Sequence, residues 1–190
     1  MAIEVVNRQR LCAIDAEQIA RVAAAALEGV GRHGAALTVA FVRDRAIRKM
    51  NREFRGKDYA TDVLSFPVAN AQDEASFSLS ESADFLGDIV IATDTAQRQA
   101  REAGHALARE LSELVIHGTL HLCGYDHETD NGEMNRLELR LRRRLLDRNQ
   151  GPGVGRNERR KADSLFQSQW ACGQSRPPAP GPWSPREALC

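Results

Sequence analysis

Between residues 3 and 147 the chain alternates between two hydrophobic rhythms. Short runs rich in β-branched residues, at Ile3–Asn7 and Ala36–Val42, predict strands. A third strand is expected at 63–66, stopped by Pro67, and a fourth at 88–92. Helical spacing takes over in between. Asp15 reads as the N-cap of a helix over 16–28, with Ile19, Val22, Ala23, Ala26 and Leu27 on one face. Asp44 reads as the cap of a second helix, to about Phe54. Thr93 or Asp94 would cap a third, to about Ala103, with Gly104 breaking it. Leu111, Leu114, Val115 and Leu122 share a face of a fourth, over 111–122. Met134, Leu137, Leu141 and Leu145 do so in a last helix over 132–147. The sum is one α+β domain: a small mixed four-stranded sheet packed with about five helices. Residues 69–84, rich in Ser, Asp and Glu, are expected to form a loop. There is no internal repeat.

After Asn149 the rhythm stops. Every proline except Pro67 lies beyond this point, with both tryptophans, Trp170 and Trp183. Such a segment buries too little apolar surface to offset its ordering entropy, so 150–190 is expected to be a disordered tail behind a domain of residues 1–149. The competing reading is a peptide-like partner motif around Trp170 or Trp183. Arg159, Arg160 and Lys161 read as a solvated charge run.

Composition narrows the picture only modestly. Lys plus Arg and Asp plus Glu both number 26 in the 190 residues, so net charge points to no partner. Binding to nucleic acid would rely on local basic patches. Cys12, Cys123, Cys172 and Cys190 are scattered and form no C-x-x-C pair, which suits a reducing cytosol. The first residues lack the long apolar run of a secretion signal, and no apolar segment is long enough to span a membrane. A soluble, cytoplasmic protein is expected, with no membrane partner.

The candidate chemistry sits in His117-Gly118-Thr119-Leu120-His121-Leu122-Cys123-Gly124-Tyr125-Asp126-His127. Residues four apart on a helix project from one face, so His117 and His121 can approach a single cation. Gly124 can take a positive φ, end the helix and return His127 as a third ligand. Three imidazoles leave one tetrahedral position of zinc for water, as in a catalytic site, whereas a structural zinc usually closes with four protein ligands. Cys123 reads as a small buried hydrophobe. Asp126 either orients an imidazole or only shapes the turn. The spacing matches the metzincin pattern H-E-x-x-H-x-x-G-x-x-H, but Gly118 stands where those peptidases carry their general base.

H-G-x-L-H-L-x-G-Y-D-H closely resembles the signature of the YbeY family of endoribonucleases and rRNA maturation factors. Asn51-Arg52-Glu53-Phe54-Arg55-Gly56-Lys57-Asp58 resembles that family's N-x-x-[YF]-R-G-K-D, residues 61–67 match its T-D-V-L-S-F-P block, and 86–91 match its L-G-D-I segment. The four blocks keep family order over roughly residues 3–147. The resemblance implies a zinc-dependent, single-strand-specific endoribonuclease acting in 16S rRNA 3′-end maturation and 70S ribosome quality control. It implies one zinc per chain held by His117, His121 and His127, and places Arg55 in the active-site groove. Single-stranded RNA, precursor rRNA and the small ribosomal subunit are the implied partners.

Phosphodiester cleavage needs a stabiliser for developing negative charge, and a guanidinium fork matches a phosphate, which makes Arg55 the candidate. The bland alternative is that Arg55 pairs with Asp58 or Asp62. Arg45, Arg48, Lys49 and Arg52 follow i, i+3, i+4, i+7 and form a basic stripe suited to an RNA backbone, or simply an exposed helix surface. Arg140, Arg142, Arg143 and Arg144 fall where they would complement a helix dipole. Asp62 is expected to fix a turn, Asp88 a strand edge, and His33 to be exposed. No physical argument places His105 in the site. Two rival functions remain at this stage: a ribosome-assembly factor with a mainly structural zinc, and a zincin-like peptidase, against which Gly118 argues.

Overall fold

The computed structural model describes residues 2–68, 85–127 and 130–147. The expected loop at 69–84 and the tail at 150–190 lie outside these residues. The elements are β1 (Ile3–Asn7), α1 (Ala16–Gly29), β2 (Ala36–Val42), α2 (Asp44–Arg55), β3 (Val63–Pro67), β4 (Phe85–Ala92), α3 (Thr93–Ala103), α4 (Leu107–Leu122) and α5 (Glu133–Leu145). The strands form one mixed sheet in the order β1-β2-β4-β3. β1, β2 and β4 are parallel, and β3 runs antiparallel along the edge of β4. This is the α+β domain the periodicity predicts.

Side-chain alternation along the strands divides the apolar residues between two faces. Leu37, Val39, Phe41, Ile89 and Ile91 pack with α1, α4 and α5 in the main core. Ala40, Val42, Leu64, Val90 and Ala92 meet Ile47 and Met50 of α2 on the other side. The sheet therefore separates α2 from α4. Among the described residues, no helix is long and apolar enough to cross a membrane.

Two expected caps are replaced by a reciprocal arrangement. Asp15 caps α1 as expected, its carboxylate accepting from the Gln18 N–H at 2.9 Å. Asp44, however, is the first residue of α2, and Arg43 before it makes no side-chain cap. The Asp44 carboxylate instead accepts from the Thr95 N–H (3.1 Å) and hydroxyl (3.0 Å) at the start of α3, while Asp94 accepts from the Asp44 N–H at 3.0 Å. β2 and β4 are parallel neighbours and end together, so the two helices begin side by side, each capped by the other's aspartate. Thr93 turns inward and donates to the Val42 carbonyl at 3.0 Å.

Other boundaries shift. β4 begins at Phe85, three residues before the expected start at 88, and α4 begins at Leu107 rather than 111. Asp62 does fix a turn, accepting from the Val63 N–H at 2.9 Å, and also receives Gln99 of α3 at 2.9 Å. Asp88 is not at a sheet edge: β4 lies between β2 and β3, and Asp88 is buried there. His33 is exposed, as expected.

His105 pairs with the buried Glu110 in the first turn of α4, Nε2 to Oε2 at 3.1 Å. That hydrogen bond outweighs partial burial and holds His105 above its ordinary value of 6.5, helped by the charges of Glu110 and Glu113. A pKa raised by folding gives stability that is complete below the unfolded value and fades as pH rises through the folded one. The stability difference between the wild type and His105→Gln, measured by urea unfolding of the metal-free protein, should therefore be largest at about pH 6 and shrink by about pH 8.5. A constant difference would contradict this.

Candidate metal centre

The centre is built by the last turn of α4 and the segment that follows. α4 buries almost its whole circumference, so His117 and His121, on one stripe, are held by a rigid, packed helix. Gly124 adopts φ +90°, a conformation that side-chain-bearing residues rarely take, and the chain turns there so that His127 comes back towards the stripe. His117 is 2% exposed, while His121 and His127 are half-buried.

One ring nitrogen from each histidine lies within 4.8 Å of those of the other two. The Nε2 atoms of His117 and His121 are 3.1 Å apart. Two nitrogens bound tetrahedrally to one zinc would lie about 3.3 Å apart, given Zn–N distances of about 2.0–2.1 Å. Ring centroids are separated by 4.7, 5.5 and 5.3 Å, with no parallel stack. Burial, and then repulsion from the His117 and His127 rings, pushes His121 down to about 3. It is therefore neutral near physiological pH and offers a lone pair. Three imidazoles converging from different directions, with His121 kept neutral, fit a zinc ion.

Cys123 does not join this group and packs against the main core, as expected for a small hydrophobe. Asp126 does not join it either, although its charge opposes the lowering of His121. The partner that the sequence reading missed is Glu138 on α5, whose Oε2 lies 3.2 Å from His117 Nδ1. Burial works against charge on Glu138, but His117 and Arg142 outweigh it and hold the carboxyl below its ordinary range. Arg142 is correspondingly not a helix-dipole complement at the surface. It is buried, and donates to Glu138 at 2.6 Å and pairs with Glu113 at 3.0 Å. A signal was available: Glu138 falls in the apolar stripe of Met134, Leu141 and Leu145, where a solvated carboxylate does not belong.

A second trio, His105, Glu110 and Glu113, also has ligand-type atoms close together. There Arg109 takes one Glu113 oxygen at 2.8 Å and Arg142 the other at 3.0 Å. Two guanidiniums beside the carboxylates repel a cation, so this trio belongs to an ion-pair network.

Gly118 faces the sheet. A Cβ there would lie 2.8 Å from Ile89 Cγ2 and 3.1 Å from its Cδ1, and the Ser65 hydroxyl donates to the Gly118 carbonyl at 3.4 Å. The position at which a metzincin peptidase carries its base has no room for a side chain. Gly118→Ala should lose about 1–2 kcal/mol, since overpacking costs about 1–3 kcal/mol and a helical Gly→Ala change returns up to about 1. Urea unfolding checks this, and a variant as stable as the wild type would contradict it.

Arg55 ends α2 and is exposed. Its expected acidic partners are occupied elsewhere. Asp58 binds Arg48 through two bonds of 2.9 Å, with Arg52 at 3.7 Å, and Asp62 serves Val63 and Gln99. Among the described residues, Arg55 makes no ion pair. Arg45, Arg48, Lys49 and Arg52 are all exposed on α2, opposite Ile47 and Met50, as their spacing predicts. Asp58 partly neutralises the stripe, and the sheet stands between α2 and the helix that carries His117 and His121.

Comparison with known proteins places the chain in a family. The family model described as Endoribonuclease YbeY matches residues 4–146. An Endoribonuclease YbeY from Bacillus licheniformis is 48% identical over 111 residues, covering 58% of this chain and 70% of that protein. One from Geobacter sulfurreducens is 39% identical over 143 residues, covering 75% and 92%. The solution structure of TM1509 from Thermotoga maritima superposes with a TM-score of 0.52 at 25% identity, covering 80% of this chain and 99% of that one. With a match over residues 4–146, which takes in Arg55 and all three histidines, the chain belongs to the YbeY endoribonuclease family.

Proposed function

We propose that this protein is a zinc-dependent, single-strand-specific endoribonuclease of the cytoplasm, acting in 16S rRNA 3′-end maturation and in 70S ribosome quality control. Family membership makes it an RNA-cleaving hydrolase. The observation that carries the zinc reading is the convergence of three imidazole nitrogens within 4.8 Å, one of them on a ring kept neutral by burial. His117, His121 and His127 would hold one zinc per chain. Zinc bound by three imidazoles supplies Lewis acidity and makes water a nucleophile near neutral pH.

The chain's own residues then have separable tasks. α4 fixes two ligands four residues apart, and the Gly124 turn supplies the third. Arg55, which has no ion-pair partner among the described residues, offers its donor fork to a phosphoryl oxygen as charge builds there. The exposed cations Arg45 and Lys49, with Arg48 and Arg52 shared with Asp58, attract the backbone of a strand without reading its sequence. Precursor rRNA and the small ribosomal subunit are the proposed partners. Residues 1–149 are proposed as the catalytic domain.

The test compares one RNA sequence as a single strand and as a blunt duplex, together with a 16S precursor carrying an extended 3′ end. The single strand should be cut internally, the duplex spared, and the precursor cut in its single-stranded 3′ extension. Equal cleavage of both forms would defeat the strand specificity. Binding of the precursor without any cleavage would favour an assembly factor with a structural zinc.

A further inference from the structure

The buried ion network beside the metal centre does more than join two helices. His117 is nearly inaccessible and its two ring nitrogens face different surroundings. Nε2 points to His121 Nε2 at 3.1 Å, and Nδ1 points to Glu138 Oε2 at 3.2 Å. A carboxylate oxygen can only accept. Nδ1 must therefore carry the proton, which leaves the Nε2 lone pair for a cation. Because Glu138 lies against the opposite side of the ring, it is placed to orient His117 and not to act as a fourth ligand.

Glu138 is itself held. Its other oxygen accepts from Arg142 at 2.6 Å. Arg142 reaches Glu113 Oε2 at 3.0 Å, and Glu113 Oε1 accepts from Arg109 Nε at 2.8 Å. Glu113 and His117 stand one turn apart on α4, and Glu138 and Arg142 one turn apart on α5. Glu138, Arg142 and Glu113 are 5%, 9% and 7% exposed. Burying such a network is not an efficient route to stability, since desolvation offsets most of the attraction and apolar side chains of similar size often do as well. What the network provides is direction, because a carboxylate fixed at both oxygens cannot swing away from the imidazole.

We infer that Glu138 is a positioning residue: held by Arg142, which Glu113 holds in turn, it selects the Nδ1-protonated tautomer of His117 and aims Nε2 into the metal centre. This rests on the zinc reading given above.

The experiment titrates zinc into metal-free wild type, Glu138→Ala, Glu138→Gln and Arg142→Met, in competition with a chromophoric chelator. Long-range ¹H–¹⁵N NMR reads the His117 tautomer in the same metal-free samples. The wild type should bind one zinc with His117 as the Nδ1–H form. Glu138→Ala should bind zinc about 10–100-fold more weakly and show a mixture of tautomers. Glu138→Gln keeps an acceptor oxygen and should restore part of both, and Arg142→Met should fall between it and the wild type. A purely structural role would change stability without changing the tautomer. Folded Glu138 variants with zinc affinity within about twofold of wild type and an unchanged tautomer would overturn the inference while leaving the zinc reading intact. If the alanine variant fails to fold, the glutamine and Arg142 variants decide by the same criteria. A wild type that binds no zinc would instead overturn the zinc reading, and the inference with it.

Discussion

His117→Ala is expected to abolish RNA cleavage and to leave the purified protein without zinc. Apparent binding energies of about 10–16 kcal/mol over four ligands in structural zinc sites make one imidazole worth about 3 kcal/mol. Losing one of only three therefore weakens zinc by more than about a hundredfold. The change also removes the group that Glu138 faces, so some stability goes too. His121→Ala separates the effects, because its ring is only half-buried and makes no carboxylate hydrogen bond among those described. Both variants should lose metal and activity together, with His121→Ala the more stable when metal-free. Elemental analysis, circular dichroism and a cleavage assay on the same preparations check this. A folded, metal-free His117 variant that still cuts at the wild-type rate would exclude any catalytic part for the metal.

Arg55→Ala should lower cleavage by about 10²–10³-fold, the range seen when one donor to transition-state charge is removed. Zinc content should stay at the wild-type level. Stability should change by less than about 0.5 kcal/mol, because Arg55 is exposed and holds no acidic partner among the described residues. Arg55→Lys keeps the charge but loses the planar fork, and should recover only part of the rate. Single-turnover rates with saturating enzyme separate this from weaker RNA binding, which Arg45→Ala and Lys49→Ala should affect instead. A full cleavage rate for Arg55→Ala would remove Arg55 from the chemistry. Loss of zinc in that variant would show that it acts on the metal centre indirectly.

What could be read from the sequence follows the range of the forces involved. The histidine pattern was legible because it is local: two positions one turn apart, a glycine and a third histidine need no tertiary information. The strands are legible where a short apolar run is broken by neither Gly nor Pro, as at Ala36–Val42. The start of β4 was hidden because Gly87 interrupts its apolar run, and that of α4 because Leu107 follows Ala106, which offers no side-chain cap. Local spacing assigns the caps of α2 and α3 to the wrong helices, because each is supplied across the chain by the other's first turn. Glu138 and Arg142 were missed for the same reason. Their meaning depends on which residue of α4 lies opposite, and helical periodicity in α5 alone does not contain that register. In the sequence Gly118 marks only a missing base. The structure adds that Ile89 fills the space a side chain would need.

If three imidazoles gathered at the end of α4 hold a zinc, RNA is not cut without it. One preparation tests it: metal content and single-stranded RNA cleavage are measured as purified, after exhaustive chelation, and after adding back one equivalent of zinc. The expected result is one zinc per chain, loss of cleavage with the metal, and recovery at one equivalent in the wild type but not in His117→Ala. Cleavage that persists in fully chelated protein would contradict it.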